Sequence, residues 1–137
     1  MNRHEYVRVQ TAILLRRLAF QVSRPAKSSD PESIHDLRVA IRRFSGCLQL
    51  FSQFYPGNSA KKARHRLEGM MKAAGAVRDL DIALELAAEA GLAKRTALVQ
   101  RLVEERRKAK RQLLSEVREW KAQGYSRKWR SSLSLHV

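Results

Sequence analysis

Seven large side chains, Ile34, Leu37, Ile41, Phe44, Leu48, Phe51 and Tyr55, follow one another at steps of three and four. At about 100° per residue this spacing lays them along one side of an α-helix, whereas a strand would need period two. A helix so amphipathic has to bury its stripe, and the rest of the chain must supply matching apolar faces. Only six Gly and three Pro interrupt the 137 residues, and the segments between them are rich in Ala, Leu, Arg, Lys and Glu, all strong helix formers. No alternating Val-, Ile- or Thr-rich segment bounded by turn residues is visible. The expected fold class is all-α: an up-and-down four-helix bundle of long amphipathic helices with a short extra helix at one corner.

The first helix is expected over residues 3–23, with Val7, Thr11, Leu14, Leu15, Leu18 and Val22 inward and Pro25 after its end. Asp30 and Pro31 open the second, as N-cap and first helical residue, and Pro56-Gly57-Asn58 closes it. A third starts near Ser59 and carries Ala63, Leu67, Met70, Met71 and Ala74 inward. Gly75 is then either its C-terminal cap or a small residue at a tight crossing. A short fourth helix opens at Asp79, its cap, holds Leu80, Ile82, Ala83, Leu86 and Ala87, and ends at Gly91. The last long helix spans residues 93–123, with Leu98, Leu102, Ala109, Leu113, Val117 and Trp120 as its apolar edge and Gly124 as its stop. Residues 1–124 thus make one domain, and residues 125–137, with Trp129, Leu133 and Leu135 among serines and cations, form a tail whose docking the pattern does not decide.

Apolar residues make up 44% of the chain, enough to build a core, which argues against disorder. The longest apolar run, Ala12-Ile13-Leu14-Leu15, ends at Arg16 and Arg17, far short of the roughly 18 residues that span a bilayer. Arg3, His4, Glu5, Arg8, Arg16 and Arg17 are scattered through the first turns in a way no secretory signal allows. A single cysteine, Cys47, cannot form an intramolecular disulfide and suits a buried apolar position. A cytoplasmic protein is expected. Its 28 Lys and Arg against 13 Asp and Glu give a net charge of +15, a field that draws polyanions: nucleic acid, acidic membrane or phosphate polymers.

His35, Arg38 and Arg42 fall within an arc of about 60° on the second helix, centred about 130° from the mean apolar direction, with Arg43 about 100° further round. Like charges stacked at this spacing repel by a few tenths of a kcal/mol per pair in an isolated helix, and an anion relieves that. Arginine's planar fork holds two phosphate oxygens at once, and a protonated histidine donates from both ring nitrogens, so the stripe suits a ligand with closely spaced phosphates. The plainer alternative is a solvated basic face. The third helix adds Lys61, Lys62, Arg64, His65, Arg66 and Lys72, and the last adds Arg101, Arg106, Arg107, Lys108, Lys110 and Arg111. Glu104 and Glu105 are placed to pair with Lys108 and Arg111 or similar neighbours, and Arg107, Lys108 and Arg111 are candidates for a channel wall. Catalysis on phosphates needs carboxylates gathered around a divalent metal. The nearest pair, Asp79 and Asp81, is offset by two residues and does not align on a helix face, so Arg78 and Asp79 are expected to cap and brace a corner. With no glycine-rich phosphate loop, no paired His with Glu and no cysteine cluster, neither metal nor cofactor is expected. His4 and His136, near the termini, are expected to be exposed.

The stretch Ile34-His35-Asp36-Leu37-Arg38-Val39-Ala40-Ile41-Arg42-Arg43-Phe44, followed by Gly75-Ala76-Val77-Arg78-Asp79-Leu80-Asp81-Ile82, resembles the conserved histidine α-helical domain, the CHAD family. The first segment looks like that family's H-x-x-R-x-x-x-R signature and the second like its G-x-x-R-D-x-D corner followed by Val or Ile. The resemblance runs from roughly residue 10 to 90 and is generic beyond. It implies an all-helical module, to which no catalysis is attributed, whose basic surface binds inorganic polyphosphate. Carried onto this chain, it implies that His35, Arg38 and Arg42 line the polyphosphate groove, with Arg43 beside them. Lys61, Arg64, His65 and Lys72 of the third helix and Arg107, Lys108 and Arg111 of the last complete it, while Arg78, Asp79 and Asp81 are structural, as Asp30 is by its capping position.

Two departures stand out. Ser45 and Gly46 occupy the place of a further basic residue, and the chain has one histidine-bearing helix where a full domain resembles two four-helix bundles facing a basic channel. The expectation is a short, single-bundle member that pairs as an isologous homodimer, binds polyphosphate without catalysis, and sits in the cytoplasm with polyphosphate granules. The alternatives are a non-specific binder of nucleic-acid phosphates, for which no recognition helix, zinc finger or aromatic platform is evident, and a phosphoanhydride hydrolase, which lacks metal-binding carboxylates.

Overall fold

Each long helix but one begins where a side chain satisfies the orphan N–H groups of its first turn. A computed structural model describes residues 1–135. Asn2 accepts from the Glu5 N–H at 2.8 Å to open α1 (Arg3–Ser23). Asp30 accepts from the Ser33 N–H at 2.8 Å to open α2 (Pro31–Leu50), with Pro31 at its first position as expected. Thr96 caps α4 (Ala97–Ala122) by accepting from the Val99 N–H. The exception is α3 (Ser59–Glu89), whose cap residue Asn58 makes no side-chain hydrogen bond. A last helix, α5, spans Tyr125–Ser132, and among the described residues there is no strand.

α2 stops five residues before the end of its apolar stripe, and a 3-10 turn at Ser52–Phe54 follows. Tyr55 is buried nonetheless. The Thr11 hydroxyl donates to the Val7 carbonyl at 2.6 Å, so the Tyr55 hydroxyl donates to Thr11 Oγ1 at 2.7 Å, beside the Cys47 thiol. Burial, the largest influence, pushes the Tyr55 phenol up from its usual range. Cys47 is free and buried, as expected.

The expected break at Gly75–Asp79 does not exist. α3 runs unbroken through it for 31 residues, so Gly75 is no cap, Asp79 opens no helix, and Arg78 and Asp79 brace no corner. Nor does Gly75 mark a tight crossing, since a Cβ there would meet nothing within 4 Å. A helix-interior Gly costs only about 1 kcal/mol relative to Ala. The flanking Ala73, Ala74 and Val77, all buried in the core, hold the helix through it.

α1 packs on α2, α2 on α3 and α3 on α4, while α5 rests against α1, α3 and α4. Leu15, Leu18, Leu37, Phe44, Leu67 and Leu113 fill the centre. The tail that the sequence left undecided is part of this core. Gly124, at φ 63°, turns the chain out of α4, and Trp129 then lies 5.8 Å from both Phe44 and Trp120. Leu133 and Leu135 are buried behind it. His4 is exposed, and His136 lies outside the described residues.

One cation fixes the register of three segments. Arg106 on α4 donates through Nε to Asp81 Oδ1 on α3 and through Nη2 to the Ser29 carbonyl just before α2, both at 2.6 Å. At about 1.5 Å per residue, α3 is about 46 Å long and α2 about 30 Å. Beyond Asp81 and before Arg106, α3 and α4 therefore continue past the start of α2 as an antiparallel hairpin, on which Ile82, Leu86, Leu98 and Val103 are exposed.

Candidate anion-binding surface

The stripe expected on α2 lies on its outer face. His35 and Arg42 are exposed and Arg38 is half-buried. Arg38 Nε is sealed from solvent and has no hydrogen-bond partner. One turn on, Arg42 enters a cleft of about 340 Å³ between α2 and α3, opposite Arg64, Glu68 and Met71. Ser45 and Gly46, which replace the family's further cation, form the α2 wall of this cleft. A Cβ on Gly46 would meet nothing within 4 Å, so these two positions leave space where a long cation would stand.

Arg43 points to the opposite flank of α2. There a second cleft, of about 400 Å³, opens between α1 and α2 and brings Arg43 together with Arg16 and Arg17. The sequence marked Arg16 and Arg17 only as the end of an apolar run. The signal that groups them with Arg43 is the register of α1 on α2, which no spacing within either helix contains. Asp36 also lines this cleft, but its carboxylate accepts from Arg24 at 2.7 Å.

The other expected site residues lie on α3 and α4. Lys61, Arg64 and His65 line a shallow recess of about 790 Å³ at the start of α3, and the His65 Nδ1 stands 3.5 Å from Glu68. Arg64 is shared between this recess and the α2–α3 cleft. Lys72 is exposed further along α3 and does not line that cleft. Lys62 and Arg66 line the recess too and also reach α5, where the Arg66 guanidinium lies 5.1 Å from the Tyr125 ring centre and 3.0 Å from the Glu116 carboxylate. Arg107, Lys108 and Arg111 are exposed on α4, whose main partner is α3 and not α2. Of the neighbouring cations their spacing allowed, Glu104 and Glu105 pair with Arg107 and Arg101 rather than with Lys108 and Arg111.

Arg24, Arg66, Arg101, Arg106 and Arg107 are thus held by carboxylates. Arg16, Arg17, Arg38, Arg42, Arg43 and Arg64, on or beside α2, make no ion pair among the described residues, and neither do eight other arginines elsewhere in the chain. Asp30 caps α2, and the Ser33 backbone N–H, its strongest influence, holds the carboxyl below the usual aspartate value. Arg78 is half-buried and Asp79 exposed in mid-helix, while Asp81 is buried against Arg106. Among the described residues no three His, Cys, Asp or Glu gather as a metal site, and no helix is long and apolar enough to cross a membrane.

The CHAD domain family profile matches residues 11–136, so the match extends through α4 and α5, beyond the two motifs that suggested it. No curated protein and no solved structure matches the chain.

Proposed function

Because the chain belongs to the CHAD domain family, whose members bind polyphosphate, we propose that it binds inorganic polyphosphate, without turning it over, along α2 from His35 to Arg42 and into the α2–α3 cleft. Arg38 carries this assignment. Its Nε is a buried donor on a charged group with no acceptor, an arrangement that costs about 1–3 kcal/mol or more if nothing satisfies it. A phosphate oxygen supplies both the acceptor and the opposite charge. Arg42 and Arg64, on facing walls of the cleft, continue the path. Lys61, His65 and Lys72 on α3 and Arg107, Lys108 and Arg111 on α4 contribute field along the rest of the surface. Affinity arises mainly from phosphate neutralisation and counterion release, and therefore falls steeply with salt.

Binding without catalysis is favoured by the fate of the carboxylates, since Asp81 is committed to Arg106 and Asp79 is exposed and alone. Incubation with polyphosphate and magnesium or manganese should release no phosphate. In the same proposal, the four long helices run up and down as half of a full domain and a second copy supplies the other half. The apolar side chains exposed on the α3–α4 hairpin favour such a homodimer, and light scattering should give twice the 15.7 kDa chain mass. A cytoplasmic location at polyphosphate granules follows from the ligand, to be checked by fluorescence microscopy.

The test is calorimetry with polyphosphate and DNA side by side at about 0.15 M salt, where scattered exposed charges are largely screened. Two charge-assisted contacts at about 1.5 kcal/mol or more each make Arg38→Ala/Arg42→Ala about 100-fold weaker for polyphosphate. Equal binding of both polymers, unchanged in the variant, would overturn the proposal in favour of non-specific nucleic-acid phosphate binding.

A further inference from the structure

The cleft between α1 and α2 combines features that a bare phosphate chain leaves unused. Leu14 and Val39, both half-buried, form an apolar floor. Phe20 stands at its edge with 63% of its surface exposed. Arg16 and Arg17 precede Phe20 by four and three residues, one helical turn, so both guanidiniums rise on the same side of α1 as the ring. Arg43 faces them from α2. The one carboxylate in the lining, Asp36, is already held by Arg24, which leaves three cations without an anion around an uncovered aromatic ring.

We propose that this cleft binds a nucleoside polyphosphate, with the base stacked on Phe20 and the phosphates held by Arg16, Arg17 and Arg43. Stacking on an aromatic side chain is indifferent to base identity, and guanidinium forks bind phosphate oxygens in pairs. A volume of about 400 Å³ lies within the roughly 300–1,000 Å³ typical of small-ligand sites. Inorganic polyphosphate would engage the arginines and leave the ring and floor in water. The site goes beyond the polyphosphate assignment: it lies on the α1 side of α2, away from Arg38 and Arg64, and uses none of the residues of that path.

Calorimetry of the full chain with ATP and with tripolyphosphate, which carries three phosphoryl groups but no nucleoside, isolates the contribution of the ring. ATP should bind about tenfold more tightly than tripolyphosphate, the ratio that one stacked base supplies. Phe20→Ser, at an exposed position that the fold does not need, should abolish this advantage and leave tripolyphosphate affinity as it was. Arg17→Ala/Arg43→Ala should weaken both ligands. Equal affinities in the unmodified chain, or an ATP advantage that survives Phe20→Ser, would overturn the proposal. Arg38→Ala/Arg42→Ala separates the two sites: it should weaken long-chain polyphosphate and preserve the ratio of ATP to tripolyphosphate, so either assignment can fail without the other.

Discussion

Replacing Asp81 with alanine should unfasten the joint at which α3, α4 and the start of α2 meet. The Asp81 side chain is 8% exposed and that of Arg106 21%. In Asp81→Ala, Arg106 Nε loses its acceptor while Nη2 keeps the Ser29 carbonyl, and the partial exposure of Arg106 lets water reach the orphaned donor. The cost therefore falls below the about 3–5 kcal/mol of breaking a fully buried pair, nearer the about 1.5–3 kcal/mol of a hydrogen bond to a charged group. Unfolding entropy of about 2.1 cal/mol/K per residue amounts to about 0.29 kcal/mol/K for a chain of this length, so a loss of about 2–3 kcal/mol lowers Tm by about 7–10 °C. Thermal unfolding followed by circular dichroism reads this directly. The double variant with Arg106→Ala should be less damaged than the sum of the single ones by at least about 1 kcal/mol, because contacting charged groups couple. A drop of under about 2 °C in Asp81→Ala, or strict additivity, would refute the joint as a source of stability.

Two other perturbations follow from the same geometry. Gly75→Ala, with open space around the new methyl, should raise stability by about 0.5–1 kcal/mol, or about 2–3 °C in Tm; Gly69→Ala should gain less, because its methyl would stand 3.0 Å from Glu116 Oε1 and disturb the Arg66 pair. Asp30 titrates below the usual aspartate value when folded, so its stabilising effect is fully present above about pH 4 and is lost as pH falls through the lower folded value; the Tm difference between the unmodified chain and Asp30→Ala should shrink with acidification, and a difference constant down to pH about 2 would contradict the capping assignment.

The helices were legible because their signals are local. The stripe on α2 and the Asp30-Pro31 start are signals within one helix, and α1 and α2 begin where they were expected, although α2 ends at Leu50, before the expected Pro56-Gly57-Asn58 stop. Gly75 and Asp79 misled for the converse reason. Both are legitimate local signals of a helix boundary, and both are overruled by burial of Ala73, Ala74 and Val77 against partners remote in sequence. Trp129, Leu133 and Leu135 lie in a short, Ser- and Arg-rich segment of little intrinsic helical strength. Only the opening between Phe44 and Trp120 shows that the segment has somewhere to dock.

The proposed anion surface was legible on α2 alone, and the reason is the way carboxylates are distributed. With 28 cations and 13 acids in the chain, most Lys and Arg have no partner, so being cationic carries little information about role. What separates Arg106 and Arg66 from Arg38 and Arg42 is whether another helix brings a carboxylate within reach: Asp81 lies 25 positions from Arg106, and Glu116 lies 50 from Arg66. Such pairs define scaffold arginines, and they are invisible to any count along one helix. Six of the arginines left over lie on or beside α2, where the neighbouring faces of α1 and α3 contribute Arg16, Arg17 and Arg64; on the α1 side the one carboxylate, Asp36, is held by Arg24, whereas on the α3 side Glu68 has only the exposed His65, 3.5 Å away. Under the proposed binding, affinity depends on the balance of cations and competing acids in each cleft, so the property to alter is that balance and not the number of cations. Introducing a glutamate at Gly46, where space is open, should weaken polyphosphate binding more than removing any one cation of α4, although each change lowers the positive charge of the chain.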